Sequence, residues 1–332
     1  MSTMAIKASG SVPDLQCVAS APKRAEDWPR GNRRIQDERI TQRPFMAASA
    51  ASRVEIVRDV AGLRARLAEW RRAGETIGLV PTMGALHAGH ISLVHEARKH
   101  ARRVVMSIFV NPAQFAPSED FNAYPRSFEA DAALFAAAEG DLLFAPSGEA
   151  MYGEGFATTI TLAGPAAVGL EDRFRPAHFA GVAIIVAKLL NQCRPDAAIF
   201  GEKDYQQLKV VTRMARDLDF DAEILGVPTV RNADGLALSS RNSFLPARER
   251  ALAPSLYTAL RRCAREINAG VAIETALDTA RAAVAAAGFV TDYFEARHAE
   301  TLCPIAPRGE GPVRLLAAAR LGKTRLIDNI AV

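Results

Sequence analysis

The sequence predicts an α/β fold, a doubly wound parallel sheet followed by a smaller α+β domain. Three observations carry that reading. Between residues 54 and 227, short apolar runs alternate with amphipathic stretches of helical period, and repeated strand–helix–strand units of this kind close right-handed onto one parallel sheet. Three polar motifs, PTMG, NPAQF and GEKD, each lie just past an apolar run, at the rim where open α/β sheets hold ligands. After Pro228 the texture changes to a loop-rich stretch, helical segments and strand-like runs.

Taken in order, Val54 to Val57 reads as an edge strand and Val60 to Arg72 as a helix closed by Gly74. Ile77 to Pro81 is a central strand, and the helix from His90 to Ala101 follows. Val104 to Val110 (VVMSIFV) is a second buried strand that ends in NPAQF. Phe128 to Ala138 is a helix and Asp141 to Phe144 a third buried strand. A longer connection has a possible short strand, Thr158 to Leu162, before an apolar helix from Val182 to Cys193. Ala197 to Phe200, Tyr205 to Leu218 and Ala222 to Val227 add strand, helix and strand. Beyond the boundary, RNADGLALSSRNSF (231–244) is a loop with a turn at Asp234-Gly235. Pro246 to Ala269 and Ala272 to Ala287 are helices; Val290 to Arg297, Val313 to Ala319 and Thr324 to Asp328 are strands. The expected organisation is a Rossmann-like domain over 53–227 and a smaller C-terminal α+β lid over 228–332.

Residues 1–52 fit neither domain. They mix Ser, Ala, Pro and Arg without periodicity and carry eight Lys/Arg against five Asp/Glu, hence +3 of the chain's +4. No apolar segment marks a secretory signal, and the acidic residues argue against an organellar transit peptide. Two expectations stand: a disordered extension, or a start site placed too far upstream, with Met46 the more economical first residue.

With 332 residues, 49% hydrophobic and 23% charged, the composition is that of a globular protein with ample core. No apolar run approaches the roughly 18 residues that span a bilayer; the longest, Val182 to Leu190, holds Lys188. No membrane partner is expected. Cys17, Cys193, Cys263 and Cys303 are far apart, which suits reduced thiols in the cytoplasm better than zinc or a disulfide framework. The basic residues are dispersed, without the aromatic-interleaved block of a nucleic-acid interface.

Chemistry concentrates in LVPTMGALHAGHISL (79–93), read as a strand, a tight turn and a helix start carrying His87, Gly89 and His90. The first N–H groups of a helix lack intrahelical acceptors and its dipole makes that end partly positive, so the geometry suits an anion. Two imidazoles three residues apart can add donors to phosphate oxygens. Gly84 and Gly89, without a Cβ, allow a base or phosphate close to the backbone. A histidine near a helix start is otherwise an ordinary cap, so the remaining motifs decide. In GEKDYQQL, Lys203 is a mobile point charge for triphosphate oxygens. Asp204 can cap the helix, bind a ribose or help hold Mg²⁺, and Gln207 can point back across the rim. Alone, this is also a plain capped turn with a surface lysine. LSSRN (238–242) offers two hydroxyls and a guanidinium that can close over a triphosphate, or else serve local turn bonds. Gln114, an uncharged amide, suits a substrate carboxylate and hydroxyl. Arg175 and His178 can serve a phosphate or orient a loop, as can Tyr124 and Arg126. Asp131 and Asp204 are possible metal ligands, neither assigned.

Together these residues resemble the pantothenate synthetase (pantoate–β-alanine ligase) family of the nucleotidyltransferase superfamily. PTMGALHAGH matches the family's PTMGxLHxGH, SIFVNPAQF its SIFVNPxQF, RPAHFAGV its RPxHFxGV and GEKDYQQL its GEKDxQQL. DGLALSSRN and the terminal RLIDN are similar too. The resemblance runs from about residue 53 to the end and departs only in the extension and in alanines at permissive positions 85, 88 and 113. It implies a two-step ligation. ATP and (R)-pantoate give pantoyl adenylate and pyrophosphate with Mg²⁺ assisting, and the β-alanine amine then displaces AMP to give pantothenate. It further implies that Met83, Gly84, Ala85, Leu86, His87, Ala88, Gly89 and His90 contact ATP, with His87 and His90 on its phosphates and His90 a proton donor. Gly201, Glu202, Lys203, Asp204, Val230, Leu238, Ser239, Ser240 and Arg241 complete that site, while Gln114 and Gln207 hold pantoate and Gln114 also meets β-alanine. His90, His87, Lys203, Ser239, Ser240 and Arg241 are the expected catalytic set, and a homodimer through the larger domain is implied. Two alternatives are a nucleotidyltransferase that stops at a phosphate-bearing acceptor, which would want basic residues in place of Gln114 and Gln207, and an RNA-binding module, against which the dispersed charge argues.

Overall fold

The computed structural model describes residues 54–117, 119–305 and 311–332; the expectations for residues 1–52 lie outside the described residues. Six parallel strands, β1 (Glu55–Val57), β2 (Ile77–Thr82), β3 (Arg103–Ile108), β4 (Leu142–Phe144), β5 (Ala197–Gly201) and β6 (Glu223–Val227), form one sheet in the order β1-β4-β3-β2-β5-β6. The inner strands β2 to β5 read as near-continuous apolar runs because both faces are covered. Leu79, Val105, Leu142 and Ala198 pack on one side with α1 (Val60–Arg72) and, later in the chain, the helices His178–Cys193 and Tyr205–Asp217. Val80, Val104, Met106, Leu143 and Ile199 pack on the other with α2 (Ala88–His100) and α3 (Phe128–Ala137).

Two short helices, α4 (Gly148–Met151) and α5 (Glu171–Phe174), precede α6 (His178–Cys193) and α7 (Tyr205–Asp217). The strand order reverses between β2 and β5, which pair directly at Gly78↔Ala197 and Leu79↔Ala198. Chain connections leave that point in opposite directions and open a crevice beyond the strand ends. PTMG follows β2 and GEKD follows β5, so the topology brings both motifs to this crevice.

The chain then passes through α8 (Ala247–Leu252), α9 (Ser255–Asn268) and α10 (Ile273–Ala286) to an antiparallel sheet of β7 (Val290–His298), β8 (Val313–Leu321) and β9 (Thr324–Ala331). Leu260, Ile267, Leu277, Val284, Phe294 and Leu315 build its core against α9 and α10. A smaller cluster, Leu170, Tyr205, Tyr293, Leu302 and Leu316, joins the two sheets.

Several expectations are corrected. The expected helix from Pro246 to Ala269 is two helices, α8 ending at Leu252 and α9 starting at Ser255, because Pro254 has no N–H to continue the ladder and crowds the preceding turn. Thr158 to Leu162 is not a strand; its alternation is present but it pairs with no strand among the described residues. Helix α6 begins a turn before Val182, at His178. Cys193 and Cys263 are free, as expected of reduced thiols, and buried. No helix of the described residues is long and apolar enough to cross a membrane.

Candidate active site

After β2 the chain turns through Gly84 (φ 83°) and Ala85 (φ 51°). Asp131 of α3, 2% exposed, locks that turn: its two carboxylate oxygens accept from Ala85 N at 2.9 Å and Leu86 N at 2.8 Å, and Ser127 Oγ donates to it at 3.0 Å. Asp131 is thus engaged by the backbone.

The first turn of α2 is capped by its own imidazoles. His87 Nδ1 accepts from Gly89 N at 3.1 Å, and His90 Nδ1 accepts from His87 N at 3.2 Å. A nitrogen that accepts carries no proton, so each ring is the Nε2–H tautomer and keeps that N–H for a ligand. The ring centroids are 4.1 Å apart. Burial, with Lys203 adding to it, lowers His87 to a pKa of about 4. Burial, then His87 and Lys203, lower His90 to about 3. At neutral pH both rings are uncharged donors. A Cβ on Gly89 would lie 2.9 Å from the His87 ring, so the glycine between them is a steric requirement.

Gln114 ends a 3-10 turn, Pro112–Gln114, after β3. Asn111, 1% exposed, donates from Nδ2 to Gln114 Oε1 at 3.1 Å and to Gly181 O at 2.9 Å, and its Oδ1 accepts from Tyr152 Oη at 2.7 Å. These bonds fix the flip of both amides, and Gln114 turns its NH₂ toward the cavity, 3.3 Å from Met83 Sδ. Helix α6 lies against this turn so closely that a Cβ on Gly181 would sit 2.1 Å from Ala113 O. His178 Nδ1–H donates to Gln114 O at 3.0 Å while Nε2 accepts from Arg175 at 3.2 Å. Burial first, then Arg175, lower its pKa to about 4. Arg175 in turn binds Glu119 at 2.6 Å. Arg126 staples its own loop, donating to the carbonyls of Phe121, Asn122 and Tyr124.

Lys203 sits on a 3-10 turn, Glu202–Asp204, after β5, 3.9 Å from the Asp204 carboxylate. Asp204 occupies the N-cap position of α7 but makes no side-chain cap bond, so the expected cap is absent. Ser239 caps the 3-10 turn Ser240–Phe244, and Ser240 Oγ donates to Ala85 O at 3.1 Å, tying this segment to the histidine turn. Arg241 binds Asp120 through Nε and Nη2, both at 2.9 Å. The segment is therefore an ordered turn rather than an open loop.

One cavity of about 220 Å³ gathers Met83, His87, Gly89, His90, Gln114, Gly201, Lys203, Asp204, Gln207, Val230, Leu238, Ser239, Ser240 and Arg241. Gly84, Ala85, Leu86, Ala88 and Glu202 do not line it: Leu86 is buried with the sheet core, and Glu202 pairs with Arg314 at 3.0 Å. Tyr124, Asn111, Thr229, Arg175 and His178 also line it; Asn111 opens NPAQF, where the sequence reading singles out only Gln114, and Thr229 carries no sequence signal. A second cavity of about 760 Å³ shares Arg175, Lys203, Asp204, Ser239 and Arg241 and reaches β9. The described residues hold no cluster of three or more His, Cys, Asp or Glu for a metal ion.

The sequence profile of the Pantoate-beta-alanine ligase family matches residues 55–331. Pantothenate synthetase 2 of Bradyrhizobium diazoefficiens is 59% identical over 277 residues, 83% of this chain and 98% of that protein. Pantothenate synthetase of Rhodopseudomonas palustris is 57% identical over the same shares. The crystal structure of pantothenate synthetase from Thermus thermophilus has a TM-score of 0.79 and 48% identity, covering 83% of this chain and 99% of its own. A Francisella tularensis pantoate-beta-alanine ligase complexed with beta-gamma ATP and beta-alanine has a TM-score of 0.70 and 31% identity, covering 84% and 97%.

Proposed function

Since this chain belongs to the pantoate-beta-alanine ligase family, we propose how its cavity carries out the family reaction. The chain is a ligase that joins (R)-pantoate to β-alanine at the expense of ATP, through pantoyl adenylate, releasing pyrophosphate and AMP. In the first step a pantoate carboxylate oxygen attacks the α-phosphorus of ATP and the bond to the pyrophosphate oxygen breaks. Charge accumulates on the phosphoryl and leaving oxygens, and preorganised donors aimed there lower the barrier. The Nε2–H groups of His87 and His90 supply such donors, with Lys203, Ser239, Ser240 and Arg241 around the triphosphate. Arg241 would exchange its Asp120 partner for phosphate. Gly201, Asp204, Val230 and Leu238 would hold the rest of the nucleotide.

Gln114 and Gln207 would hold pantoate. A neutral amide can bind the carboxylate without the fixed cation that would blunt its nucleophilicity. In the second step the β-alanine amine attacks the adenylate carbonyl, the acyl–phosphate bond breaks, and AMP leaves. Mg²⁺ is held by one or two carboxylates and substrate phosphates in such sites. Asp204 lines the cavity and fits that modest requirement, whereas Asp131 is engaged by backbone N–H groups. When bound, the ion would neutralise phosphate charge.

We assign residues 53–227 as the nucleotide and pantoate domain and 228–332 as a lid whose closure keeps water from the adenylate. Membership of the family supports a homodimer through the larger domain, and the free, buried Cys193 and Cys263 suit a cytoplasmic enzyme.

The observation that carries the residue assignment is the pair of imidazoles whose Nδ1 atoms are both occupied, sharing one cavity with Lys203 and two glutamines. The test is to assay His90→Ala and Gln114→Ala separately for adenylate formation and for β-alanine-dependent AMP release. His90→Ala should lose about 100- to 1,000-fold in adenylation with its fold intact and a thermal midpoint lowered only by the lost cap bond from His87 N, and Gln114→Ala should raise the pantoate KM. Wild-type adenylation in His90→Ala would overturn the assignment.

A further inference from the structure

The terminal RLIDN stretch plays no part in the site as described, yet β9 carries it back to the GEKD turn. Asn329, 3% exposed, donates from Nδ2 to Glu202 O and to Lys203 O, both at 2.9 Å. Its Oδ1 accepts from Arg314 Nε at 2.8 Å, and Arg314 Nη2 donates to Glu202 Oε2 at 3.0 Å. The Arg314 guanidinium also lies 4.1 Å from the centroid of the Tyr205 ring, just after the turn. Both amide hydrogens and the amide oxygen are thus engaged, and the flip of Asn329 is determined by its partners.

The turn that receives these bonds has little else to hold it. Neither the 3-10 turn nor the start of α7 has a side-chain cap bond. Lys203 itself is a charge on a flexible four-carbon stem, so the accuracy of its placement depends on the backbone beneath it. We infer that Asn329, oriented by Arg314, is a positioning residue for Lys203, its amide gripping the two carbonyls of the Glu202–Asp204 turn from the C-terminal sheet. This rests on the reading of Lys203 as a phosphate contact. Asn329→Asp keeps the shape but replaces the two donors with a carboxylate oxygen facing two carbonyls, so the turn must move. A displacement of about 1 Å at a positioning element lowers rates by about 100-fold.

The test is a double-mutant cycle on the full chain, reading pyrophosphate release from ATP and pantoate without β-alanine. Asn329→Asp should lower kcat for adenylation about 10- to 100-fold. In a Lys203→Ala background the same change should cost less than about 2-fold, because there is no longer an ammonium to misplace. An equal fractional loss in both backgrounds marks a merely structural residue and overturns the inference. Adenylation impaired in Lys203→Ala but kept in Asn329→Asp overturns it while sparing the Lys203 reading; wild-type rates in Lys203→Ala remove that reading, and the inference with it. If Asn329→Asp does not fold, Arg314→Lys, which keeps the charge but breaks the fork that orients the amide, should show the same non-additive loss.

Discussion

Two strand-to-helix turns face each other across the switch point of the sheet, and they are held in opposite ways. The turn after β2 is held mainly from within its own domain: His87 and His90 cap α2 with their own rings, Asp131 fixes the preceding backbone from the adjacent α3, and from beyond residue 227 Ser240 Oγ donates to Ala85 O. The turn after β5 lacks a side-chain cap and takes its support from Arg314 and Asn329, more than a hundred residues further along the chain. The first should tolerate loosening of the C-terminal sheet, and the second should not. One rim of one cavity therefore combines a local device with a long-range one.

The most severe test of that contrast is Glu171→Gln. Glu171 takes two bonds from Arg325, at 2.8 Å each, and one from Tyr293 at 2.8 Å, at the junction of the two sheets. Breaking a buried pair of this kind lowers unfolding free energy by about 3–5 kcal/mol, to be read from urea titrations. Burial pushes the carboxyl up, but Arg325 and then Tyr293 outweigh it and hold the group below its ordinary range. Its contribution should be complete above the ordinary glutamate pKa and be lost as pH falls through the lowered one. A loss below about 1 kcal/mol, the range of exposed pairs, would show that the junction is not held by this network.

Asp131→Ala comes next. It strips acceptors from Ala85 N, Leu86 N and Ser127 Oγ and should lower stability by about 2–3 kcal/mol. It should also slow adenylation more than any substitution in the β7–β9 sheet slows it through the histidine turn. Equal sensitivity would erase the distinction between the two turns.

The smallest expected effect concerns pH. With His90 at about 3 and His87 at about 4, neither ring titrates between about pH 8 and pH 6. Adenylation should show no inflection there from these groups, which a pH–rate profile with pantoate and ATP saturating would check. The sign for stability is that of a depressed histidine: support is full above the unfolded pKa and is lost as pH falls toward the folded values. An inflection near the ordinary histidine value that disappears in His90→Ala would show the ring to be charged in action and break this account.

The two turns also differ in how far they could be read from sequence. PTMGALHAGH carries its turn glycine, its caps and its apolar period within one window, so strand, turn and helix were all legible there. The six-stranded sheet followed from such windows, because its parallel strands connect through helices of ordinary length. Asp131 was visible only as a carboxylate and read as a possible metal ligand, since nothing local says that its oxygens meet Ala85 and Leu86. Asn329 stood in a motif without a role, because its partners lie in another sheet. Thr158 to Leu162 shows the reverse failure: alternation is a property of the segment, but a strand also needs a neighbour. Pro254 was a signal in plain view that helical periodicity on both sides obscured.

The uncharged imidazoles have a consequence for departure as well as for reaction. A by-product that leaves past neutral N–H groups gives up hydrogen bonds that water replaces at little loss, whereas a fixed cation would grip it with a charge-assisted bond about twice as strong. Two rings kept neutral by burial therefore add no further charge-assisted grip to the one that Lys203 and Arg241, in the same cavity, would exert on an anion that has to leave.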